Sequence, residues 1–224
     1  MTNRLIKHIH SFRGSLFLMV FLFVFIPLFV SVLVFSREET HIFINKLNKP
    51  ALDLIMKWWT LLGDGFVLAA VTLLLTLFSF RLSLLTALSL LAGGLLAQFL
   101  KLVFFRSMPR PVKYFEMNEI SYRLHLIPGM DIHSWMSFPS GHTTTAFAVC
   151  TAFAIYYSDR KILQLLFFTL ALGVAISRVY LSQHFFMDVV GGAFLGLFVG
   201  YFSYNLIKKI HHHNLNKNLL NILS

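Results

Sequence analysis

The chain has 224 residues, of which 57% are hydrophobic and 12% charged, with 25 phenylalanines and a formal charge of +10. This balance excludes an ordinary soluble domain and fits a set of apolar segments, each needing about 20 residues to cross a bilayer. The basic excess is scattered over loops and ends without an aromatic-interleaved patch, so anionic lipid rather than nucleic acid is its expected counter-charge, and the single cysteine, Cys150, leaves no internal disulfide to form.

Residues 1–14 are short and basic, with Arg4, Lys7 and Arg13, and lead into an apolar run at 15–36. That run is longer than a signal-peptide core and no small-residue cleavage site follows it, so it reads as a retained first transmembrane helix. Residues 37–60 begin polar. Further on, Leu52, Leu54, Ile55, Trp58 and Trp59 gather on one side while Asp53 and Lys57, four apart, share the other. The pattern fits a short helix lying in the interface, or the start of the second crossing. Gly63-Asp64-Gly65 breaks it, and Asp64, near a membrane edge, reads as a helix cap, with contact to a site as the alternative.

The second and third crossings fall at 66–80 and 82–105, the latter with Gly93 and Gly94 suited to close helix packing. Residues 106–138 carry Pro109, Pro111, Pro128 and Gly129 and form the one substantial extramembrane loop. Its apolar groups, Tyr114, Phe115 and Trp135 among them, are expected to rest on lipid or roof a site. Three more crossings follow at 141–157, 162–181 and 185–207, the first two joined by a tight turn. The tail, 208–224, opens with Lys208-Lys209 and His211-His212-His213. Three adjacent side chains on one helix point in different directions, so the triplet reads as part of a basic interfacial tail rather than as a metal site. The expected architecture is an all-α polytopic membrane protein: a cytoplasmic N-terminus (1–14), a six-helix membrane domain (15–207) with a short interfacial helix and an external loop over the site, and a basic cytoplasmic tail (208–224).

Lysine and arginine divide almost evenly between the two sides of such a bundle, nine on the side of the termini and ten on the other. Three of the ten, Lys101, Arg110 and Arg178, belong to polar motifs, and the terminal loops are short, which favours termini in the cytoplasm. The protein is then expected in the inner membrane, with the motifs on the periplasmic or outer face.

Those motifs are KLVFFRSMPRP at 101–111, PSGH at 139–142 and SRVYLSQHFFMD at 177–188. Ionisable residues at the edge of a bilayer are costly, and all three groups fall at the same end of the predicted crossings. Lys101, Arg110 and Arg178 form a cradle for the equatorial oxygens of a phosphoryl group. The helix start at Pro139-Ser140-Gly141-His142 offers free backbone N–H groups, a favourable dipole, a Ser140 hydroxyl and close approach at Gly141. His184 and Asp188, four apart on one helical face, suit a carboxylate-oriented nucleophile, and His142 suits the general acid that protonates the leaving alkoxide. A phosphohistidine forms and water releases it. No step calls for a metal, and no cofactor or protein partner is expected.

Lys101 with Arg110-Pro111, then PSGH, then Ser177-Arg178, five residues, His184, three residues and Asp188 resemble the three signature motifs of the type-2 phosphatidic acid phosphatase family, related to vanadium haloperoxidases. The second and third match fully. The first has eight residues between lysine and Arg-Pro where the family usually has six, which leaves Arg106 as an alternative to Arg110; the following Pro111 favours Arg110. The resemblance implies a metal-independent lipid phosphatase acting on a membrane lipid phosphate. Phosphatidic acid, phosphatidylglycerophosphate and undecaprenyl diphosphate lead the expected substrates, and a lipid A phosphatase or lipid phosphotransferase is the alternative. A haloperoxidase is disfavoured by the crossings, and a non-enzymatic transporter or scaffold by the His184–Asp188–His142 set.

Overall fold

Residues 15–210 of the computed structural model are described, and every regular element among them is helical. The basic segment with Arg4, Lys7 and Arg13 and the tail with His211, His212, His213 and Lys217 lie outside the described residues. In chain order the helices are α1 (Leu16–Val34), α2 (Arg37–Asn45), α3 (Pro50–Trp59), a 3-10 turn (Thr60–Gly63), α4 (Gly65–Thr76), α5 (Phe80–Val103), α6 (Pro111–Met117), α7 (Gly141–Tyr156), α8 (Lys161–Tyr180) and α9 (Phe186–Lys209).

Their boundaries follow from local chemistry. Ser36 and Glu39 form a reciprocal capping box that starts α2. Pro50 and Pro111 occupy first-turn positions in α3 and α6, where a missing N–H costs nothing. Asp64, Ser79 and Ser140 cap α4, α5 and α7 with their side chains. At the opposite end of the bundle Arg81 donates to the carbonyls of Ile207 and Ile210 (both 3.2 Å), satisfying the C-terminus of α9.

Four helices, α1, α5, α8 and α9, are long and apolar enough to cross a membrane, so this is a multi-pass membrane protein. A fifth span is present if α3, the 3-10 turn and α4 are counted together across their 59° bend. The apolar segments expected at 66–80 and 141–157 do form helices, but short ones. Leu77 to Ser79 turn the chain after 12 residues of α4, and α7 has 16 residues, about 24 Å at the usual helical rise. The segment read as polar at 37–45 is a full helix, and 106–138 carries α6, which the spacing of its prolines did not suggest.

α7 is the central helix, packed against α5, α8 and α9 and buried along most of its length. On one side α1 presents Phe17, Phe21 and Phe25, spaced by four, to Phe147 of α7 and Phe168 of α8, with edge-to-face ring contacts at 5.2–5.7 Å. Cys150 packs against this cluster, as a small core residue would. On the other side Gly192, Gly196 and Gly200 of α9 bring its backbone against the carbonyls of Ser140, Thr144 and Ala148 on α7.

A methyl group at Gly196 would sit 2.5 Å from the Thr144 carbonyl oxygen, whereas one at Gly65 meets nothing within 4 Å. Gly196→Ala is therefore expected to destabilise the bundle by about 1–3 kcal/mol, by overpacking. Gly65→Ala should leave stability unchanged or slightly raised. Thermal unfolding of both variants in detergent checks the contrast.

Candidate active site

All three motifs lie at one end of the bundle. Lys101 is in the last turn of α5, Arg178 in the last turn of α8, Ser140 caps α7 and Asp188 is in the first turn of α9. Direct ties join them: the Ser140 N–H donates to the Asp188 carbonyl (3.0 Å), and the N–H groups of Gln183 and His184 both donate to the Arg178 carbonyl (3.0 and 3.1 Å).

Lys101, Arg110 and Arg178 are buried at 8%, 8% and 6% exposure, while Arg106 is exposed on the surface. α5 ends at Val103, and the chain that follows brings Arg110, the residue before α6, back so that its guanidinium is buried among the motifs. Its Nε donates to the Trp135 carbonyl (3.1 Å) and its Nη1 to the Gln183 carbonyl (3.2 Å). Arg178 donates through Nη1 to Thr60 Oγ1 (2.9 Å). The Gln183 side chain gives its amide hydrogen to the Asp131 carbonyl (2.9 Å) and turns its oxygen towards both guanidinium groups at 3.5 Å. Arg178 Nε is buried without a hydrogen-bond partner among the described residues. Three buried cations face one another here beside a single buried carboxylate, Asp188, an arrangement that suits an anion bound between them.

His184 Nδ1 lies 3.3 Å from Asp188 Oδ2, and both side chains are 2% exposed. The same oxygen accepts from Ser137 Oγ (2.5 Å) and from the Phe185 N–H (2.9 Å), so the carboxylate is fixed from three sides and holds Nδ1 as the protonated nitrogen, leaving Nε2 free. Burial, reinforced by the charges of Arg110, Arg178 and Lys101, keeps this imidazole neutral well below the usual histidine range. His142 is more open, at 32%, on the first turn of α7. Gly141 has open space where a Cβ would be, so a ligand can approach its backbone. Ser140 is fully buried, and its hydroxyl accepts from Thr143 Oγ1 (2.9 Å) as well as capping α7.

Several residues at this site carry no motif. Asp64, read from sequence as a cap, does cap α4, and its second oxygen also lies 3.7 Å from His142 Nε2. Ser137, Gln183 and Thr60 are ordinary polar residues in sequence. The loop that presents His184 is held by α2: Ser182, at a positive φ of 52°, receives Asn45 Nδ2 (3.2 Å) and pairs with His41 Nε2 (3.1 Å). Asp53, expected beside Lys57 on the polar side of its helix, accepts from Tyr180 (2.6 Å) and pairs with His125 of the long loop (3.0 Å). Among the described residues no three or more His, Cys, Asp or Glu side chains are grouped to hold a metal ion.

Residues 82–211 match the model of the PAP2 superfamily, more than half of the chain and all three motifs. The chain belongs to the PAP2 superfamily. Two solved structures superpose on it. The crystal structure of Aquifex aeolicus LpxE matches with a TM-score of 0.63 and 27% identity, covering 75% of this chain and 93% of that one. The PAP2-type phosphatidylglycerolphosphate phosphatase of Bacillus subtilis matches with a TM-score of 0.62 and 25% identity, covering 88% and 96%. The lipid A 1-phosphatase of Porphyromonas gingivalis is 41% identical over 69 residues, 30% of this chain and 16% of that protein. The chain spans less than half the length of the curated relatives it matches.

His41 is fully buried and its imidazole is pushed down to about 4 by that burial. Between pH 6.5 and 4 the unfolded chain takes up a proton there that the folded protein does not, so folding stability falls as the pH drops through this window. The loss attributable to His41 is of the order of 3 kcal/mol by pH 4. Thermal unfolding as a function of pH should therefore show a shallower acid decline in His41→Gln than in the parent protein; an identical slope would assign the decline elsewhere.

Proposed function

We propose that this PAP2 protein hydrolyses the phosphate group of a membrane lipid through a phosphohistidine at His184. The observation that carries the reading is the buried His184–Asp188 pair set against three buried cations, one of them with an unpartnered Nε. Lys101, Arg110 and Arg178, with the backbone at Gly141 and the hydroxyl of Ser140, bind the phosphoryl oxygens and stabilise their charge. His184 Nε2 attacks phosphorus as the bond to the leaving oxygen breaks, and His142 gives that oxygen its proton. Water then attacks the phosphohistidine, His142 takes the proton back, and inorganic phosphate leaves.

The substrate class follows from the setting. The site lies at the end of apolar helices, where a lipid phosphate meets it with its chains still in the bilayer. Phosphatidic acid, phosphatidylglycerophosphate and undecaprenyl diphosphate fit, and the likeness to a phosphatidylglycerolphosphate phosphatase supports the glycerophospholipids. A lipid A phosphate is the second reading, favoured by the lipid A 1-phosphatase relatives. In this reading the chain crosses six times, with α4 and α7 as short crossings, and its described ends lie opposite the site. The short loops at that opposite end carry Arg81, Arg160, Lys161, Lys208 and Lys209 with Asp159 as their acid, whereas the basic residues outside the motifs at the site end lie in longer segments that also hold acids; this difference favours an inner-membrane protein with its site on the outer face.

Purified protein should release phosphate from lipid phosphates in the presence of EDTA and be inhibited by vanadate. His184→Ala should abolish turnover. Arg110→Ala should lower kcat/KM by about 100-fold or more, as loss of a charge-stabilising donor does, and Arg106→Ala by less than about threefold. Undiminished release by His184→Ala would remove it as the nucleophile, and a side-by-side panel of the four lipids ranks them by kcat/KM. For orientation, Ser134→Cys in the long loop should react with a membrane-impermeant maleimide in intact spheroplasts; protection until lysis would invert the topology.

A further inference from the structure

The 3-10 turn Thr60–Gly63 is locked to the end of the bundle that holds the motifs. Thr60 accepts from Arg178, and the Gly63 carbonyl accepts from Thr145 of α7 at 2.8 Å. A Cβ at Gly63 would meet the His142 carbonyl oxygen at 2.6 Å and Val174 at 2.7 Å, so only glycine lets the turn come this close. The next residue, Asp64, is thereby delivered beside His142. Its two oxygens divide the work. Oδ1 alone receives both capping N–H groups, from Phe66 (2.9 Å) and Val67 (3.2 Å), and Oδ2 is turned to His142 Nε2 at 3.7 Å.

Charged groups act on His142 from every side of the site: Arg178 from α8, Lys101 from α5, Arg110 from the loop before α6, and Asp64 from the 3-10 turn. Of these four only Asp64 is negative. An imidazole that must carry a proton to a leaving oxygen needs such a neighbour, and a separation of 3.7 Å is of the kind that tightens when substrate is bound.

Resting on the phosphatase reading above, we propose that Asp64 is the positioning residue of the general acid: it orients His142 and supplies the counter-charge for its protonated form, while capping α4 with its other oxygen.

Asp64→Asn tests this, because asparagine caps a helix as well as aspartate does but carries no charge. The purified variant is compared with the parent protein on phosphatidic acid in detergent micelles, whose leaving alkoxide needs a proton, and on 4-nitrophenyl phosphate, whose leaving phenolate does not. We expect kcat/KM, which reads only the steps through departure of the leaving group, to fall by about 10- to 100-fold on phosphatidic acid and by less than about threefold on 4-nitrophenyl phosphate, the split that loss of general-acid function produces. Asp64→Ser, also able to cap, should show the same split. Unchanged turnover of phosphatidic acid, an equal loss on both substrates, or failure of both capping variants to fold would each assign Asp64 to structure and overturn the proposal. Parent protein that releases phosphate neither from these two substrates nor from phosphatidylglycerophosphate, undecaprenyl diphosphate or lipid A would instead overturn the phosphatase reading, and the role of Asp64 with it.

Discussion

Three cations buried together at one end of an apolar bundle set the terms for the rest of this structure. Lys101, Arg110 and Arg178 share that end with one buried carboxylate, and isolated buried charges cost several kcal/mol each even after relaxation. The surrounding architecture offsets this cost with fixed dipoles. Carbonyls of Trp135 and Gln183, the Thr60 hydroxyl and the Gln183 amide oxygen are all turned inward to the two guanidinium groups. These groups are held by the bundle rather than by solvent, so they are already oriented when an anion arrives. What they leave over is a net positive pocket.

Close packing of α7 against α9 is what makes that pocket possible. The glycine ladder on α9 lets its first turn, with Asp188, lie beside the capping residue of α7, so that Ser140 and Asp188 are hydrogen-bonded through their backbones. Motifs separated by about 40 residues thereby become one surface. The aromatic stack from α1 supports the other flank of α7. Outside the spans, α2 and the long loop serve the same end: His41 and Asn45 clamp Ser182 in a left-handed backbone conformation, and the loop threads Ser134, Trp135 and Ser137 past Arg110 and Asp188.

The two histidines differ by environment. His184 is enclosed, oriented by a carboxylate that accepts from two further donors, and kept neutral, as the proposed nucleophile must be. His142 is a third exposed and faces a carboxylate that is itself partly open. The division matches the proposed chemistry, in which one imidazole attacks inside the pocket and the other exchanges protons at its mouth.

Local pattern in the sequence settled the helical, membrane-embedded class, the approximate places of α1, α5, α8 and α9, and the residues of the second and third motifs. Those signals reside in runs of apolar residues and in an i, i+4 spacing that needs no knowledge of distant contacts. Other features were decided by long-range packing. For the stretched first motif the sequence offered only the following proline in favour of Arg110 over Arg106; that Arg110 is buried and Arg106 exposed depends on how the chain returns to the bundle. The lengths of α4 and α7 depended on where turns and caps fall. Asp64 looked like a cap because it is one; that its second oxygen meets His142 depends on the 59° bend between α3 and α4 and on Gly63 nestling against α7. A sequence states what a residue can do for its own helix, and the tertiary fold decides what else lies within its reach.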